Sequence, residues 1–155
     1  MHEIKTNQKR KEEMASTTKI EKLILNYINK SRSKRKLRKL KSNFGLKRVA
    51  RSHSNKMAKR GKIWHGNGVK IAKDNISYHG LLGFIASLFA SSYSGENVAM
   101  TSQMGSSKIM AHSFHKMWMK SPGHRRNILN PNFKLVGIGI KKSRKGYFAT
   151  ELFNG

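Results

Sequence analysis

The side chains of this 155-residue chain that are best suited to chemistry are two histidines and a glutamate in three separate motifs. His124 lies in the sequence SPGHRRNILNP, where a Pro-Gly pair should end a helix and place the histidine at a turn. Glu96 lies in the sequence GEN, and His65 follows a tryptophan. Two imidazoles and one carboxylate can bind a divalent metal or move a proton. The three motifs are far apart in the chain, so only the fold can bring them together.

These motifs resemble those of the CAP superfamily, which contains the cysteine-rich secretory, antigen 5 and pathogenesis-related 1 proteins and is also called SCP-like. The short, cysteine-free prokaryotic branch is the most similar, over about residues 20–153. The resemblance implies an α-β-α sandwich with a cleft tetrad of two histidines and two glutamates. By motif, His65, Glu96 and His124 match three of the four. The second glutamate, expected three residues after Trp118, falls on Ser121.

Two imidazoles and one carboxylate are enough to bind a divalent cation, so His65, Glu96 and His124 are the predicted metal ligands. Zinc is the expected ion, because three such ligands leave its fourth position to water. Ser121 is assigned to the same ligand-binding cleft, which we expect to take the metal or a small or lipidic ligand rather than to catalyse a reaction. The alternative is a metal-assisted, peptidase-like hydrolase with Glu96 or His124 as its base. A purely structural role for the three side chains also stays open, because perturbed clusters are often structural.

The charge of the chain predicts a second kind of partner. Thirty-three Lys and Arg residues against seven Asp and Glu residues give a net charge of +26, which favours association with polyanions. The densest run has no aromatic residue for base stacking, so its binding should be insensitive to sequence. Nucleic acid, anionic lipid headgroups and anionic wall polymers all fit. This run, the predicted polyanion site, contains Lys30, Arg32, Lys34, Arg35, Lys36, Arg38, Lys39 and Lys41.

The composition of the chain excludes some kinds of chemistry, but it says less about the compartment and the oligomeric state. The chain has no cysteine, which excludes disulfides and thiolate metal sites. Its longest apolar run, residues 81–90, is half the length that a membrane-spanning helix needs. Residues 1–19 lack the apolar core of a secretory signal, whereas the resemblance implies an extracellular or cell-surface protein. We expect a monomer by default.

Apolar periodicity predicts the helices that must position these motifs. Residues 1–16 should be a disordered polar tail, followed by a single domain over 17–155. The spacing of Thr18 and Glu21 fits a capping box at the start of the first helix. A second helix is predicted around 43–60, a third near 80–90, and a fourth from Ser106 or Ser107 to Ser121. Their apolar faces should be formed by Ile20, Leu23, Ile24, Tyr27 and Ile28, by Leu46, Val49, Ala50, His53 and Met57, and by Met110, Phe114, Met117 and Trp118.

The remaining histidines are assigned to structure or to the surface. His53 lies on an apolar stripe and should be a core histidine. His112 and His115 are three residues apart, and without a neighbouring glutamate they are best interpreted as a surface pair.

The end of the chain changes from helical to strand periodicity. Val136, Ile138 and Ile140 alternate with two glycines, which would allow a helix to approach the strand closely. A turn at 143–146 and a partner strand over 147–153 should follow. Helices first and strands last predict an α+β fold with a small antiparallel sheet flanked by helices.

Overall fold

The computed structural model describes residues 16–66 and 94–155. The predicted tail, apart from Ser16, and the predicted helix near 80–90 lie outside the described residues. Within them the chain forms four helices and four strands. These are α1 (Thr17–Ser33), β1 (Lys41–Ser42), α2 (Phe44–Arg60), β2 (Ser94–Thr101), α3 (Ser107–Lys120), α4 (Pro122–Ile128), β3 (Leu135–Ser143) and β4 (Gly146–Asn154).

The four strands form one sheet in the order β1-β3-β4-β2. β3 and β4 are the predicted hairpin, and β2 pairs antiparallel with β4 on its other side. β1 pairs parallel with β3 over two residues. The three longer strands are antiparallel, as predicted, and the short parallel strand β1, which was not predicted, makes the sheet mixed. A two-residue strand carries too little alternation to be recognised in the sequence.

Helices cover both faces of the sheet, which confirms the α+β class and the α-β-α sandwich. On one face α1 and α3 bury Ile24, Phe114 and Trp118 against Val136 and alternate residues of both long strands. On the other face α2 packs through Leu46, Val49 and Ala50 against β4. His53 lies on this buried face of α2, as predicted, and its Nε2 lies 3.1 Å from the Trp64 carbonyl oxygen.

Two glycines of β3 let α2 approach the sheet. A Cβ atom on Gly137 would lie 2.1 Å from the carbonyl carbon of Leu46, and one on Gly139 would lie 2.2 Å from the Arg51 nitrogen. Real Cβ atoms do not come this close to backbone, so the helix could not pack here against any larger residue. The predicted close approach is confirmed.

The N-terminus of α1 differs from the prediction. Ser16 is the N-cap, since its Oγ accepts a hydrogen bond from the Lys19 N–H and its own N–H donates to the Ser107 Oγ. Ser16 therefore belongs to the folded domain rather than to the tail. Glu21 does not complete a capping box. Its buried carboxylate accepts two hydrogen bonds from the Arg51 guanidinium and one from the Ile140 N–H.

Arg32, assigned to the basic surface, is instead fully buried. Its guanidinium donates hydrogen bonds to the carbonyl oxygens of Arg38, Ile128, Asn130 and Phe133. A run of basic residues in a sequence does not reveal that one member points inward to satisfy carbonyl groups.

Two residues of α3 also differ from their assignment. Met117 was placed on the apolar stripe but is 39% exposed, whereas Met110, Phe114 and Trp118 are buried. His115, assigned to a surface pair with His112, is buried, and its Nε2 lies 2.9 Å from the Ser31 Oγ. Burial lowers the pKa of His115 to about 4, so its imidazole is neutral at pH 7.

Candidate functional site

Three different elements carry the predicted cleft residues to one edge of the sheet. His65 lies just after α2, which ends at Gly61 in the left-handed conformation that favours glycine. Glu96 lies on β2, whose other edge pairs with β4. His124 lies in the first turn of α4, which begins with Pro122 directly after α3 ends. The predicted break after α3 is present, but His124 lies in the first turn of a second helix, where the sequence predicted a turn between elements.

The structure brings His65, Glu96 and His124 together. The Nδ1 atom of His65 lies 3.2 Å from the Oε1 atom of Glu96, and the two imidazole rings are 5.8 Å apart between centroids. Glu96 Oε1 also accepts a hydrogen bond from the Gly66 N–H. The His65 side chain is 62% exposed, whereas that of Glu96 is buried. Glu96 therefore fixes an imidazole whose other face is open to solvent.

Burial sets the protonation states of the cleft. It raises the pKa of Glu96 to about 7, although the hydrogen bond from Gly66 acts in the opposite direction. Burial and the nearby charge of His65 lower the pKa of His124, so its imidazole is neutral at pH 7. Glu96 Oε2 is buried and has no hydrogen-bond partner among the described residues. At neutral pH the carboxyl group can hold or release a proton.

A buried amide network supports the cleft from below, and sequence reasoning did not identify it. The Asn97 Nδ2 donates to the His124 carbonyl oxygen and to Glu151 Oε2. The Asn127 Nδ2 donates to the Glu96 carbonyl oxygen and to Asn97 Oδ1. Asn97 and Asn127 lie in the same sequence motifs as Glu96 and His124. Their position in these motifs was the sequence feature that could have identified them. The pairing of Asn97 with Glu151 depends on the β2–β4 register, for which the sequence gives no spacing.

Ser121, predicted to line the ligand cleft, lies at the junction between α3 and α4. Its N–H donates to the carbonyl oxygens of Met117 and Trp118, and its carbonyl oxygen accepts from the Arg125 N–H. These backbone bonds link the end of α3 to the start of α4, the helix that carries His124.

The sequence matches the CAP family, described as the cysteine-rich secretory protein family, over residues 25–153. The chain belongs to this family. It is 31% identical over 143 residues to the uncharacterized protein YkwD of Bacillus subtilis, which covers 91% of the chain. The chain spans 49% of the length of that relative.

Solved structures show the same CAP fold. An outer surface protein of Borrelia burgdorferi superimposes with a TM-score of 0.69 at 18% identity, covering 91% of this chain and 96% of its own. An extracellular SCP-domain protein of Bacillus anthracis gives a TM-score of 0.65 at 26% identity, covering 87% of this chain and 40% of its own. These neighbours are surface or extracellular proteins. No helix in residues 16–66 and 94–155 of this chain is both long and apolar enough to cross a membrane.

The CAP cleft partly fits a divalent metal. Two imidazoles on one zinc, with bonds of about 2.0–2.1 Å, place their ring centroids roughly 5 to 6 Å apart, close to the separation of His65 and His124. Glu96 Oε1 is turned toward His65 and Gly66. Accordingly, no three His, Asp or Glu side chains in the described ranges are arranged to hold a metal together. Of the described residues, His65 and His124 could hold a cation together, with Glu96 behind His65.

A groove of about 640 Å³ lies between α1 and α3, and its lining contains none of the cleft residues. Tyr27, Ile109 and Met117 provide its apolar surface, and Lys108 and Lys116 are among the lysines that line it. Space for a small molecule is therefore present on the helical face of the sandwich.

Proposed function

We propose that the cleft of this CAP domain binds a divalent cation through His65 and His124. The observation that supports this proposal is the contact between His65 Nδ1 and Glu96, which leaves the Nε2 atom of an exposed imidazole available. A histidine that ligates metal typically donates its other N–H to a carboxylate, which raises its basicity and fixes its tautomer. His124 is already neutral at pH 7 and can act as a ligand without losing a proton. Such a cation would act as a Lewis acid and lower the pKa of bound water.

Zinc titration by calorimetry on the full chain tests the proposal. We expect binding to be lost in His65→Ala and in His124→Ala, and to weaken by about 10- to 100-fold in Glu96→Gln, because Glu96 orients a ligand. His112→Ala is the matched control, since His112 is exposed and lies on α3. Equal affinity in the wild type and both histidine variants, with folding preserved, would contradict the proposal and make the cluster structural.

A second candidate function is hydrolysis in the same cleft, with Glu96 as the base. The near-neutral pKa of Glu96 supports it, because a general base works best when its pKa is near the operating pH. The Glu96→Gln variant separates the two functions. Turnover of peptide substrates that is abolished in this variant even at saturating zinc indicates catalysis by Glu96, whereas no turnover by the wild type leaves binding alone.

A small or lipidic ligand is a further part of the proposed function, and the groove between α1 and α3 supports it. Its apolar floor and lysines suit an acyl chain with an anionic head. A bulky change, Ile109→Trp, should reduce the uptake of a fluorescent fatty acid without affecting zinc binding. Since solved relatives are surface or extracellular proteins, we also propose that location for this chain.

A further inference from the structure

The surface of the described residues is cationic without compensation. Three acids lie in residues 16–66 and 94–155: Glu21, Glu96 and Glu151, and all three side chains are buried. Glu21 is already paired with Arg51. No side-chain carboxylate in these ranges is therefore exposed to neutralise the surface lysines and arginines or to repel an anionic partner.

Buried Arg32 joins two basic segments that are distant in the sequence. Its guanidinium binds the carbonyl oxygen of Arg38 on one side and those of Ile128, Asn130 and Phe133 on the other. The Lys41 N–H donates to the Lys134 carbonyl oxygen, which extends the same junction. The resulting surface, called here the basic face, consists of the exposed residues Lys34, Arg35, Lys36, Arg38, Lys39, Lys41 and Lys134.

The two leucines of the segment between α1 and β1 are not fully exposed to solvent. Leu40 is 3% exposed, and Asn29 binds both its N–H and its carbonyl oxygen. Leu37 is half-buried. An amphipathic segment that inserts into a membrane needs its leucines on the outer side. The basic face therefore lacks the leucines that membrane insertion would use, and its charges are held on an ordered backbone.

One aromatic side chain stands exposed beside the basic face. Phe44, three residues after Lys41, is 72% exposed, and the Arg48 guanidinium lies 5.8 Å from its ring centroid. The absence of aromatic residues from the basic run, residues 30–41, predicted binding without base stacking. The fold places one directly after β1. A basic surface with a stacking aromatic is the combination that single-stranded nucleic acids use.

We propose that the basic face binds single-stranded polynucleotide, with phosphates on its lysines and arginines and a base stacked on Phe44. The occupant has a repeating negative charge and planar unpaired bases. Double-stranded nucleic acid hides the faces of its bases, and a phosphodiester polymer without bases makes no use of Phe44. This surface is separate from the cleft and does not depend on cation binding there.

Fluorescence anisotropy with two probes tests the role of Phe44. One probe is an oligothymidylate of about 20 nucleotides, and the other is an abasic phosphodiester of equal length and charge. Phe44→Ala should weaken binding of oligothymidylate about tenfold and leave the abasic probe unchanged, and Phe44→Trp should retain affinity. An equal effect on both probes, or none on oligothymidylate, would overturn the proposal.

The electrostatic part is tested by removing charge from both segments of the basic face. The slope of log K for oligothymidylate binding against log salt concentration should become shallower by about 2 in the variant Arg38→Gln/Lys39→Gln/Lys134→Gln. Each phosphate contact contributes roughly 0.7 to that slope, and the variant removes three charges. The affinity at about 50 mM salt should fall at least about tenfold.

The matched control removes the same charge at the far end of β3, roughly 25 Å away along the strand. It is Lys141→Gln/Lys142→Gln/Arg144→Gln, at exposed positions of the β3–β4 hairpin. We expect a smaller effect on the affinity. Equal losses in both triple variants would mean a diffuse charge effect and overturn the assignment of the site. Tighter, Phe44-dependent binding to anionic phospholipid vesicles would overturn it in favour of a membrane.

Discussion

Glu151 shows how a single buried residue can make stability depend on pH. Its carboxyl group is fully buried, Asn97 donates to Oε2, and Oε1 has no partner among the described residues. Burial raises the pKa of Glu151 to about 8, so the folded protein keeps this group protonated at pH 7. An unfolded chain releases the same proton near its ordinary value of 4.5. The folded state therefore binds more protons between these values, and stability falls as the pH rises through them.

Replacing Glu151 by Gln should remove this loss. Glutamine keeps the shape of the neutral acid and can accept the hydrogen bond from Asn97. Each group of this kind makes the free energy of unfolding fall by at most about 1.4 kcal/mol per pH unit. Urea denaturation at several values between pH 5 and pH 8 should show a shallower decline for Glu151→Gln and a higher stability at pH 8. Parallel pH profiles for the two proteins would mean that the carboxyl group is ionised and compensated in the fold.

The candidate site could be predicted from the sequence to the level of residue identity but not of role. His65, Glu96 and His124 were assigned by motif, and the fold brings them together. The sequence could not show that Glu96 turns toward His65. That contact depends on how α2 and β2, which are distant in the sequence, meet in the fold.

At the scale of elements, the contact between α2 and β3 is the feature that tolerates the least change. The helix backbone lies where a Cβ atom on Gly137 or Gly139 would be. Gly139→Ala should lower the free energy of unfolding by about 1 to 3 kcal/mol, the usual cost of overpacking, or more if α2 cannot shift. Urea denaturation measures the change.

Gly123→Ala is the matched control for this substitution. Gly123 lies in α4 with open space around it, and the closest atom to its Cβ position is a flexible Arg126 nitrogen at 4.0 Å. Alanine there should be neutral or stabilising, because it reduces the entropy of the unfolded chain. A Gly139→Ala variant as stable as Gly123→Ala would show that α2 can move away from the sheet.

Elements with strong periodicity were predictable, and those defined by tertiary contacts were not. α2, α3 and the β3–β4 hairpin appear close to their predicted bounds, because each carries an uninterrupted apolar pattern. β1 is too short for a pattern, and β2 begins in a motif that indicated only a cleft residue. Arg32 looked like its basic neighbours, since local sequence does not reveal which side chain satisfies buried carbonyl groups.

At the scale of the whole molecule, basic residues far outnumber acidic ones, so folding brings positive charges close to one another. The net charge is +26, and the side-chain carboxylates of residues 16–66 and 94–155 are buried, so surface cations repel one another. Salt shortens the range of this repulsion from about 10 Å at 0.1 M to about 3 Å at 1 M. Salt also weakens the attraction between Glu21 and Arg51, which would lower stability, but this is a single ion pair and Arg51 is partly exposed. Repulsion among many cations should therefore dominate.

Sodium chloride should consequently stabilise the protein. We expect the free energy of unfolding to rise between about 0.05 M and 0.5 M salt, because repulsion in the compact state is screened more than repulsion in the expanded unfolded chain. Urea is the suitable denaturant, since guanidinium chloride is itself a salt. The hairpin variant Lys141→Gln/Lys142→Gln/Arg144→Gln should be more stable at low salt and respond less to salt. If the wild type instead loses stability as salt increases, attraction between charges outweighs repulsion in this protein and the prediction is wrong.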